Sequence, residues 1–268
     1  MRRAPARLLI IAGSDSGGGA GLQADIKTAC AFDVYAMTAV TAVTAQETTG
    51  VHAIHAIPAS LVREQIACCL SDIGADAIKI GMLGSAATVQ LVAEVLERSA
   101  RNLPIVLDPV LASSSGTPLL ESDAVATLKE RLFPLVALVT PNTPEAEVLT
   151  GVPIHNSADM QKAGERFRAL GASAALVTGG HAKGDPVEDV LVWEQGARSF
   201  SSSRIKGRNT HGTGCTLATG IACGFAAGFN VIESIQRARG FVQQSIRTAP
   251  GLGSGHGPLN HLHKLVSP

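Results

Sequence analysis

Residues 210–220 read THGTGCTLATG, a glycine-rich turn followed by small apolar residues. Gly212 and Gly214 permit a tight turn whose backbone amides face outward. Residues 215–229 predict a buried helix, whose first turn would direct unpaired N–H groups and a positive dipole end over the glycines. Cys215 begins this helix, where the pKa of a thiol is expected to fall. The stretch therefore predicts either an anion-binding site or a turn that only caps a core helix.

The composition is that of a globular protein with a large apolar core. The chain has 268 residues, of which 46% are hydrophobic and 16% charged, enough for one large α/β domain or two small ones. Lysine plus arginine equal aspartate plus glutamate at 22 each, and aromatic residues make up 3%. A neutral chain with so few aromatic residues argues against a nucleic-acid partner or an anionic membrane surface.

Membrane insertion and secretion are not expected. The longest uncharged stretch, 211–232, contains five glycines and begins with a turn, which argues against a transmembrane helix. The apolar run 8–12 is too short for the core of a signal peptide. The five cysteines are odd in number and form no CxxC pair, so we expect a reduced, cytoplasmic protein.

Apolar runs of strand length alternate with helical patterns along the chain. This alternation predicts an α/β fold with a mostly parallel sheet and helices on both faces. No linker-like break in composition appears, so we expect a single domain over 1–268, with less regular tails at 1–6 and about 250–268. The predicted strands are 7–12, 37–44, 51–57, 75–80, 105–107, 135–139, 174–177 and a hairpin of 189–193 with 198–200. The predicted helices begin near Gly19 and after Gly214 and cover 60–70, 85–100, 122–132, 157–170 and 232–247, with Ser60 and Ser122 as N-caps.

Polar residues recur where the predicted strands end. Ligands of such sheets bind beyond the carboxyl ends of the strands, so residues from separate strands should converge on one site. The residues concerned are Asp15, Gln46, Met82, Asp108, Asn142, Glu145 and Thr178, followed by the 210–220 turn.

Spacing excludes the commonest nucleotide and metal motifs. The chain contains no GxxxxGK[ST], no GxGxxG after its first strand and no HExxH, and the tail histidines His261 and His263 are expected at the surface. Asp108 and Glu145 are hard oxygen donors suited to Mg²⁺, which usually arrives with nucleotide phosphates. The alternatives are a turn residue before Pro109 for Asp108 and a charge in a helix's first turn for Glu145.

Seven motifs, in order from about residue 8 to residue 263, resemble hydroxymethylpyrimidine/phosphomethylpyrimidine kinase of thiamine biosynthesis. This resemblance implies a ribokinase-like three-layer αβα sandwich with a mostly parallel central sheet. It also implies ATP-dependent phosphorylation of 4-amino-5-hydroxymethyl-2-methylpyrimidine and then of its monophosphate. The motifs are GSDSGGGAGLQADIKT (13–28), TAVTAQETTGV (41–51), IKIGMLG (78–84), LDPV (107–110), TPNTPEAEVL (140–149), GGH (179–181) and THGTGCTLATG (210–220).

The resemblance assigns residues to each part of the reaction. Gln46 would recognise the pyrimidine edge, because a carboxamide offers both a donor and an acceptor. The other substrate-binding positions are Gly13, Asp25, Met82 and Val110. ATP would be bound by Asn142, Thr178, Thr210, Gly212 and Gly214, and Mg²⁺ by Asp108 and Glu145. The amides of Gly212, Thr213 and Gly214 would form the anion hole, with Cys215 in the place of the base that most ribokinase-like enzymes carry.

One departure from the family pattern concerns the nucleotide. Relatives commonly carry a lysine before GGH that reaches the phosphates, whereas this chain has Thr178, which cannot supply a charge. Lys183 and Lys206 are candidates for compensation. Membership of this fold group also implies a homodimer. The alternative functions are pyridoxal kinase activity and, on another view, a non-catalytic pyrimidine-binding regulator.

Overall fold

Nine strands form one sheet in the computed structural model, which describes residues 4–181 and 184–263. The strand order is β3-β2-β1-β4-β5-β6-β7-β8-β9. The strands are β1 (Ala6–Asp15), β2 (Val34–Glu47), β3 (Gly50–Ala56), β4 (Ala77–Ile80), β5 (Ile105–Leu107), β6 (Leu138–Val139), β7 (Ala175–Thr178), β8 (Val187–Trp193) and β9 (Gly196–Ser202).

The sheet is mostly parallel, as predicted. The six strands from β2 to β7 in the sheet order run parallel to one another, while β3 at one edge and β8 and β9 at the other pair antiparallel. The central strands are short, apolar and buried on both faces, which is typical of parallel sheets covered by helices.

Helices cover both faces and complete the predicted three layers. One apolar core lies between the sheet and the helices α2 to α6, and the other lies between the sheet and α1, α7 and α8. The helices are α1 (Gly21–Ala31), α2 (Ala59–Cys68), α3 (Ala86–Ser99), α4 (Ala124–Thr127), α5 (Thr143–Thr150), α6 (Ser157–Ala169), α7 (Thr213–Ala226) and α8 (Val231–Arg247). Within the described ranges, no helix is long and apolar enough to cross a membrane.

Several predicted boundaries are wrong for local reasons. Neither Ser60 nor Ser122 caps a helix, because α2 begins directly after Pro58 and α4 begins after Asp123. The predicted strand 135–139 shortens to β6, because its start lies in a 3₁₀ turn (Phe133–Leu135) that contains a proline.

Helix α5 is not among the predicted helices, although a charge in the first turn of a helix was the alternative given for Glu145. The first turn of α5 contains Pro144, and a proline in the first turn of a helix costs no hydrogen bond. Asn142 caps α5: its side chain accepts a hydrogen bond from the Glu145 amide at 2.9 Å, and the Glu145 carboxylate accepts one from the Asn142 amide at 3.0 Å. This capping box begins a helix at Thr143, in agreement with the alternative given for Glu145.

The tail after residue 250 packs against the domain. His261 is 2% exposed and its Nε2 lies 2.9 Å from Thr216 Oγ1, so the prediction of a surface position for this residue is wrong. The His256 amide donates to the Thr48 carbonyl at 2.8 Å, which ties the tail to the turn between β2 and β3. The tail thereby closes one side of the cavity described below.

Candidate active site

A cavity of about 690 Å³ opens at the carboxyl ends of the parallel strands. It collects residues from strands that are far apart in sequence, as the polar strand ends predicted. Thirteen of the fourteen predicted site residues line it, and only Asp25 does not. The thirteen are Gly13, Gln46, Met82, Asp108, Val110, Asn142, Glu145, Thr178, Thr210, Gly212, Thr213, Gly214 and Cys215.

The glycine turn at the start of α7 has a conformation that requires glycine at position 212. Gly212 precedes α7 with a φ of 85°, and a Cβ atom there would lie 1.9 Å from the Gly19 carbonyl oxygen, so only glycine fits. The Thr213 amide donates to the Thr210 carbonyl at 3.3 Å. Thr213 and Gly214, the first residues of α7, line the cavity, so the positive end of the helix dipole faces it. The Thr213 amide is already used by the hydrogen bond within the turn.

Two buried carboxylates face this turn. Asp108, which follows β5, is 5% exposed, and Glu145 in the first turn of α5 is 8% exposed. Burial and the nearby charge of Asp108 raise the pKa of Glu145 to about 8. Burial likewise raises the pKa of Asp108 to about 6, even though Lys79 acts to lower it. A Cβ atom on Gly214 would lie 3.8 Å from Asp108 Oδ2, so Asp108 and the turn share one end of the cavity.

This pair of carboxylates suits a magnesium ion that a nucleotide brings with it. Among the described residues, no group of three or more histidine, cysteine, aspartate or glutamate side chains could hold a metal ion alone. Mg²⁺ prefers six oxygen ligands and commonly takes one or two from carboxylates and the rest from phosphates and water. Two close carboxylates with raised pKa values also gain from a cation between them, because it relieves their mutual repulsion.

The pKa of the Cys215 thiol shifts in the direction opposite to the predicted one. The helix start was expected to lower the pKa of its thiol. Burial instead raises that pKa to about 12, with nearby carboxylates acting in the same direction and Lys79 opposing them. The thiol is therefore neutral in the ligand-free protein, because the desolvation of a thiolate outweighs the helix dipole.

Asp25 lies behind the cavity wall and does not line it. It is completely buried, with Oδ2 2.8 Å from Lys79 Nζ and Oδ1 accepting the Thr219 hydroxyl at 2.7 Å. Both carboxylate oxygens are therefore occupied inside the protein. Asp25 was predicted to contact the substrate directly, but in this structure it does not line the cavity. It instead pairs with the buried Lys79, which does line the cavity.

The predicted substrate end lies at the ends of β1 and β2. A Cβ atom on Gly13 would lie only 2.9 Å from Met82 Sδ. The glycine therefore leaves room for the methionine side chain on the cavity wall. The Gln46 carboxamide lies between Thr44 and His211, with separations of 3.2 Å and 3.4 Å. A polar carboxamide and a thioether therefore share one end of the cavity.

His211 is a site residue that sequence reasoning missed, and Asp15 was placed at the site without a role. His211 is 7% exposed and its Nε2 lies 2.9 Å from Asp15 Oδ2. Asp15 also accepts the amides of Gly17, Gly19 and Ala20, which shapes the loop after β1. The role of Asp15 had a signal in the sequence, namely an aspartate followed by several glycines. Such carboxylates commonly accept hydrogen bonds from the amides of their own turn.

At the other end of the cavity, Thr178 ends β7 opposite Asp189 of β8. Asp189 accepts Arg239 Nε at 2.7 Å, and both residues line the cavity. Arg204 donates to the Gly180 and Gly184 carbonyls at 3.0 Å and 2.6 Å, across the loop that follows β7. Lys206 is exposed and does not line the cavity. Lys183, the other predicted compensating charge, lies outside the described residues.

A three-layer sandwich whose cavity is lined by a glycine turn at a helix start and by two buried carboxylates is the architecture of small-molecule kinases with the ribokinase-like fold. An ADP complex of Bacillus subtilis pyridoxal kinase superposes with a TM-score of 0.89 at 34% identity, covering 97% of this chain and 98% of that one. Phosphomethylpyrimidine kinase from Clostridium difficile superposes with a TM-score of 0.79 at 37% identity, covering 90% and 99%.

Residues 15–260 match the family model described as phosphomethylpyrimidine kinase, and the chain belongs to this family. Hydroxymethylpyrimidine/phosphomethylpyrimidine kinase of Streptomyces coelicolor is 42% identical over 257 residues, which covers 96% of this chain and 94% of the relative. The thiamine biosynthesis bifunctional protein ThiED of Geobacter sulfurreducens is 46% identical over 264 residues, or 97% of this chain. This chain spans 54% of that longer protein.

Proposed function

We propose that the protein transfers the γ-phosphate of ATP to 4-amino-5-hydroxymethyl-2-methylpyrimidine and then to its monophosphate, in thiamine diphosphate biosynthesis. One observation carries this proposal. The carboxamide of Gln46 lines the same cavity as the glycine turn and the carboxylate pair. A single cavity thus offers a hydrogen-bonding group for an aminopyrimidine and a site for transferred phosphate.

The turn and the first turn of α7 supply the electrostatic part of the reaction. Phosphoryl transfer passes through a loose transition state with charge on the γ-phosphate oxygens, so catalysis depends on positioning and on fixed donors. The Gly214 amide and the dipole of α7 would stabilise that charge. We infer that Asp108 and Glu145 hold Mg²⁺, which neutralises phosphate charge when bound.

Cys215 lines the cavity as a neutral thiol. A neutral thiol cannot remove the substrate hydroxyl proton as the reaction begins. A loose transition state needs little base assistance, because the nucleophile loses its proton late. We therefore assign Cys215 a positioning role toward the substrate hydroxyl.

Pyridoxal phosphorylation is the second candidate. It is favoured by the similarity to solved pyridoxal kinases, which include the Staphylococcus aureus enzyme in complex with an ATP analogue and pyridoxal, at 32% identity and a TM-score of 0.88. Both substrates carry a hydroxymethyl acceptor on a flat nitrogen heterocycle. A shared cavity geometry therefore suits either one, and only turnover separates them.

The test is phosphorylation by the purified protein with Mg²⁺ and ATP. Hydroxymethylpyrimidine, its monophosphate and pyridoxal are compared by mass spectrometry of the products, with Asp108→Asn as the inactive control. We expect turnover of both pyrimidines at a kcat/KM above that of pyridoxal. Turnover of pyridoxal alone would favour the second candidate. Binding of the pyrimidine without ATP consumption would instead favour a regulator.

Assembly and location are part of the proposal. We propose a homodimer, as membership of this fold group implies, and a cytoplasmic site of action. The cysteines support the location, because Cys30, Cys68, Cys69, Cys215 and Cys223 are all free thiols. Sedimentation velocity of the purified protein tests the dimer.

A further inference from the structure

The carboxamide of Gln46 has a polar neighbour at each end. As placed, its Oε1 lies 3.2 Å from Thr44 Oγ1 and its Nε2 lies 3.4 Å from His211 Nε2. The oxygen and the NH₂ group of a carboxamide have the same shape, so the hydrogen-bonding character of the neighbours decides which end belongs where.

His211 Nε2 must carry a hydrogen. It lies 2.9 Å from Asp15 Oδ2, and a carboxylate oxygen can only accept. Burial acts to raise the pKa of Asp15, but the hydrogen bonds from His211 and from backbone amides lower it overall, so this side chain is ionised. Nε2 is therefore a donor in both the neutral and the charged form of the imidazole. An NH₂ group facing it would set donor against donor.

Thr44 leads to the same conclusion from the other end. Its hydroxyl lies 2.9 Å from the Ser14 carbonyl oxygen, which can only accept, so the hydroxyl hydrogen is used there. The Thr44 oxygen is then left with lone pairs and accepts at its contact with Gln46. Turning the carboxamide by half a turn satisfies both contacts, with the NH₂ group toward Thr44 and the oxygen toward His211.

We propose that His211 is a positioning residue for substrate recognition: its Nε2–H, shared between Asp15 and the carboxamide oxygen of Gln46, sets the direction of that carboxamide. This inference rests on the proposed function and adds to it a rule of specificity. The remaining N–H and the remaining oxygen lone pair of Gln46 are offered to the ligand, with the acceptor on the His211 side.

An aminopyrimidine edge complements this arrangement in one orientation. Its exocyclic amino group donates to the Gln46 oxygen, and the adjacent ring nitrogen accepts from the Gln46 N–H. A pyrimidinone with an oxo group in place of the amino group presents the same two positions with donor and acceptor exchanged. It would require the opposite direction of the carboxamide, which His211 opposes. His211 thus favours amino over oxo ligands without contacting the amino group itself.

The decisive measurement is the ratio of kcat/KM for the amino substrate to that for its 4-oxo analogue. His211→Phe removes the donor and keeps a ring in its place, while His211→Gln keeps an N–H donor. Losing one hydrogen bond that orients a polar group should lower the ratio about tenfold or more in His211→Phe. The ratio should stay within about threefold of wild type in His211→Gln.

An equal loss on both substrates in His211→Phe, with the ratio unchanged, would overturn the proposal. If that variant does not fold, ¹⁵N NMR of the wild-type imidazole decides instead. We expect Nε2 to carry a directly bonded hydrogen, and an Nε2 without one contradicts the proposal. If the wild type phosphorylates neither pyrimidine, the proposed function fails. The NMR measurement and calorimetric binding of the two analogues then still test His211.

Discussion

Lys79 Nζ lies 2.8 Å from Asp25 Oδ2, and both side chains are completely buried below the candidate active site. Burial acts to lower the pKa of Lys79, but the carboxylates of Asp25 and Asp108 raise it overall. The lysine is therefore a permanent positive charge against the end of the cavity that holds Asp108 and Cys215. This charge offsets part of the negative charge that the buried carboxylates place there.

Breaking this pair should destabilise the protein strongly. Asp25→Ala leaves a buried lysine without its partner, and such a change typically costs about 3–5 kcal/mol of unfolding free energy. Urea denaturation followed by circular dichroism measures the loss. The double variant Asp25→Leu/Lys79→Met is the control, because removing both charges removes the penalty. A double variant as unstable as Asp25→Ala would show that packing, not charge, dominates.

The carboxylate pair predicts a stability that falls as the pH rises when magnesium is absent. The pKa of Glu145 is raised from its ordinary value near 4.5 to about 8, so the folded protein keeps a proton that the unfolded chain has released. Stability is therefore lost between these two values as the pH rises. Thermal unfolding in a chelator, from about pH 5 to about pH 8, should show a falling Tm that Mg²⁺ and ATP restore.

Glu145→Gln is the matched variant for this prediction, since a glutamine oxygen still accepts the Asn142 amide and preserves the cap of α5. It should flatten the pH dependence of Tm and raise the Mg²⁺ concentration needed for half-maximal activity by about tenfold or more. Unchanged magnesium dependence in a folded Glu145→Gln enzyme would show that Glu145 does not bind Mg²⁺.

Cys215 should react slowly with alkylating agents. With its pKa raised to about 12 by burial, almost none of this thiol is thiolate at neutral pH. Cys30 and Cys68 are exposed and serve as internal controls in the same sample. Iodoacetamide labelling of the ligand-free protein, followed by peptide mass spectrometry, should label both controls long before Cys215. Faster labelling of Cys215 would contradict this prediction and would indicate a thiolate, as expected from its position at the start of a helix.

Thr178→Lys should strengthen nucleotide binding. The new ammonium would stand at the end of β7, on the cavity and across from Asp189. One added charge-assisted hydrogen bond to a phosphate corresponds to a decrease of about tenfold in KM for MgATP. Steady-state kinetics at saturating pyrimidine measure the change. Thr178→Gln is the uncharged control of similar length, and an equal effect in both variants would exclude a role for charge.

Much of the site could be predicted because the fold carries it to one place. In a parallel sheet the carboxyl ends of the strands lie along one edge, so Gln46, Asp108 and Thr178 had to lie along that edge once the strands were recognised. The glycine turn could also be predicted from the sequence, because Gly212 adopts a positive φ that other residues avoid. Family membership rests on the same motifs, in the same order.

Residues whose role depends on contacts across the fold were less predictable. Asp25 has the motif position of a ligand-binding residue, yet its oxygens are taken by Lys79 and Thr219, which lie 54 and 194 residues away. His211 stands inside the most recognisable motif, but its partner Asp15 is 196 residues distant. Helix α5 was anticipated only in the alternative given for Glu145, a charge in the first turn of a helix.

By itself, the sequence determined the class of fold, the strand ends that form the cavity, and the family, since these depend on local periodicity and on motifs read in order. The tertiary structure alone decided the protonation state of Cys215, the burial of Asp25 and the direction of the Gln46 carboxamide. Each of these depends on which charges and hydrogen-bonding groups surround an atom in the folded protein. Such surroundings are assembled from distant parts of the chain, and desolvation within them can reverse what a local rule predicts.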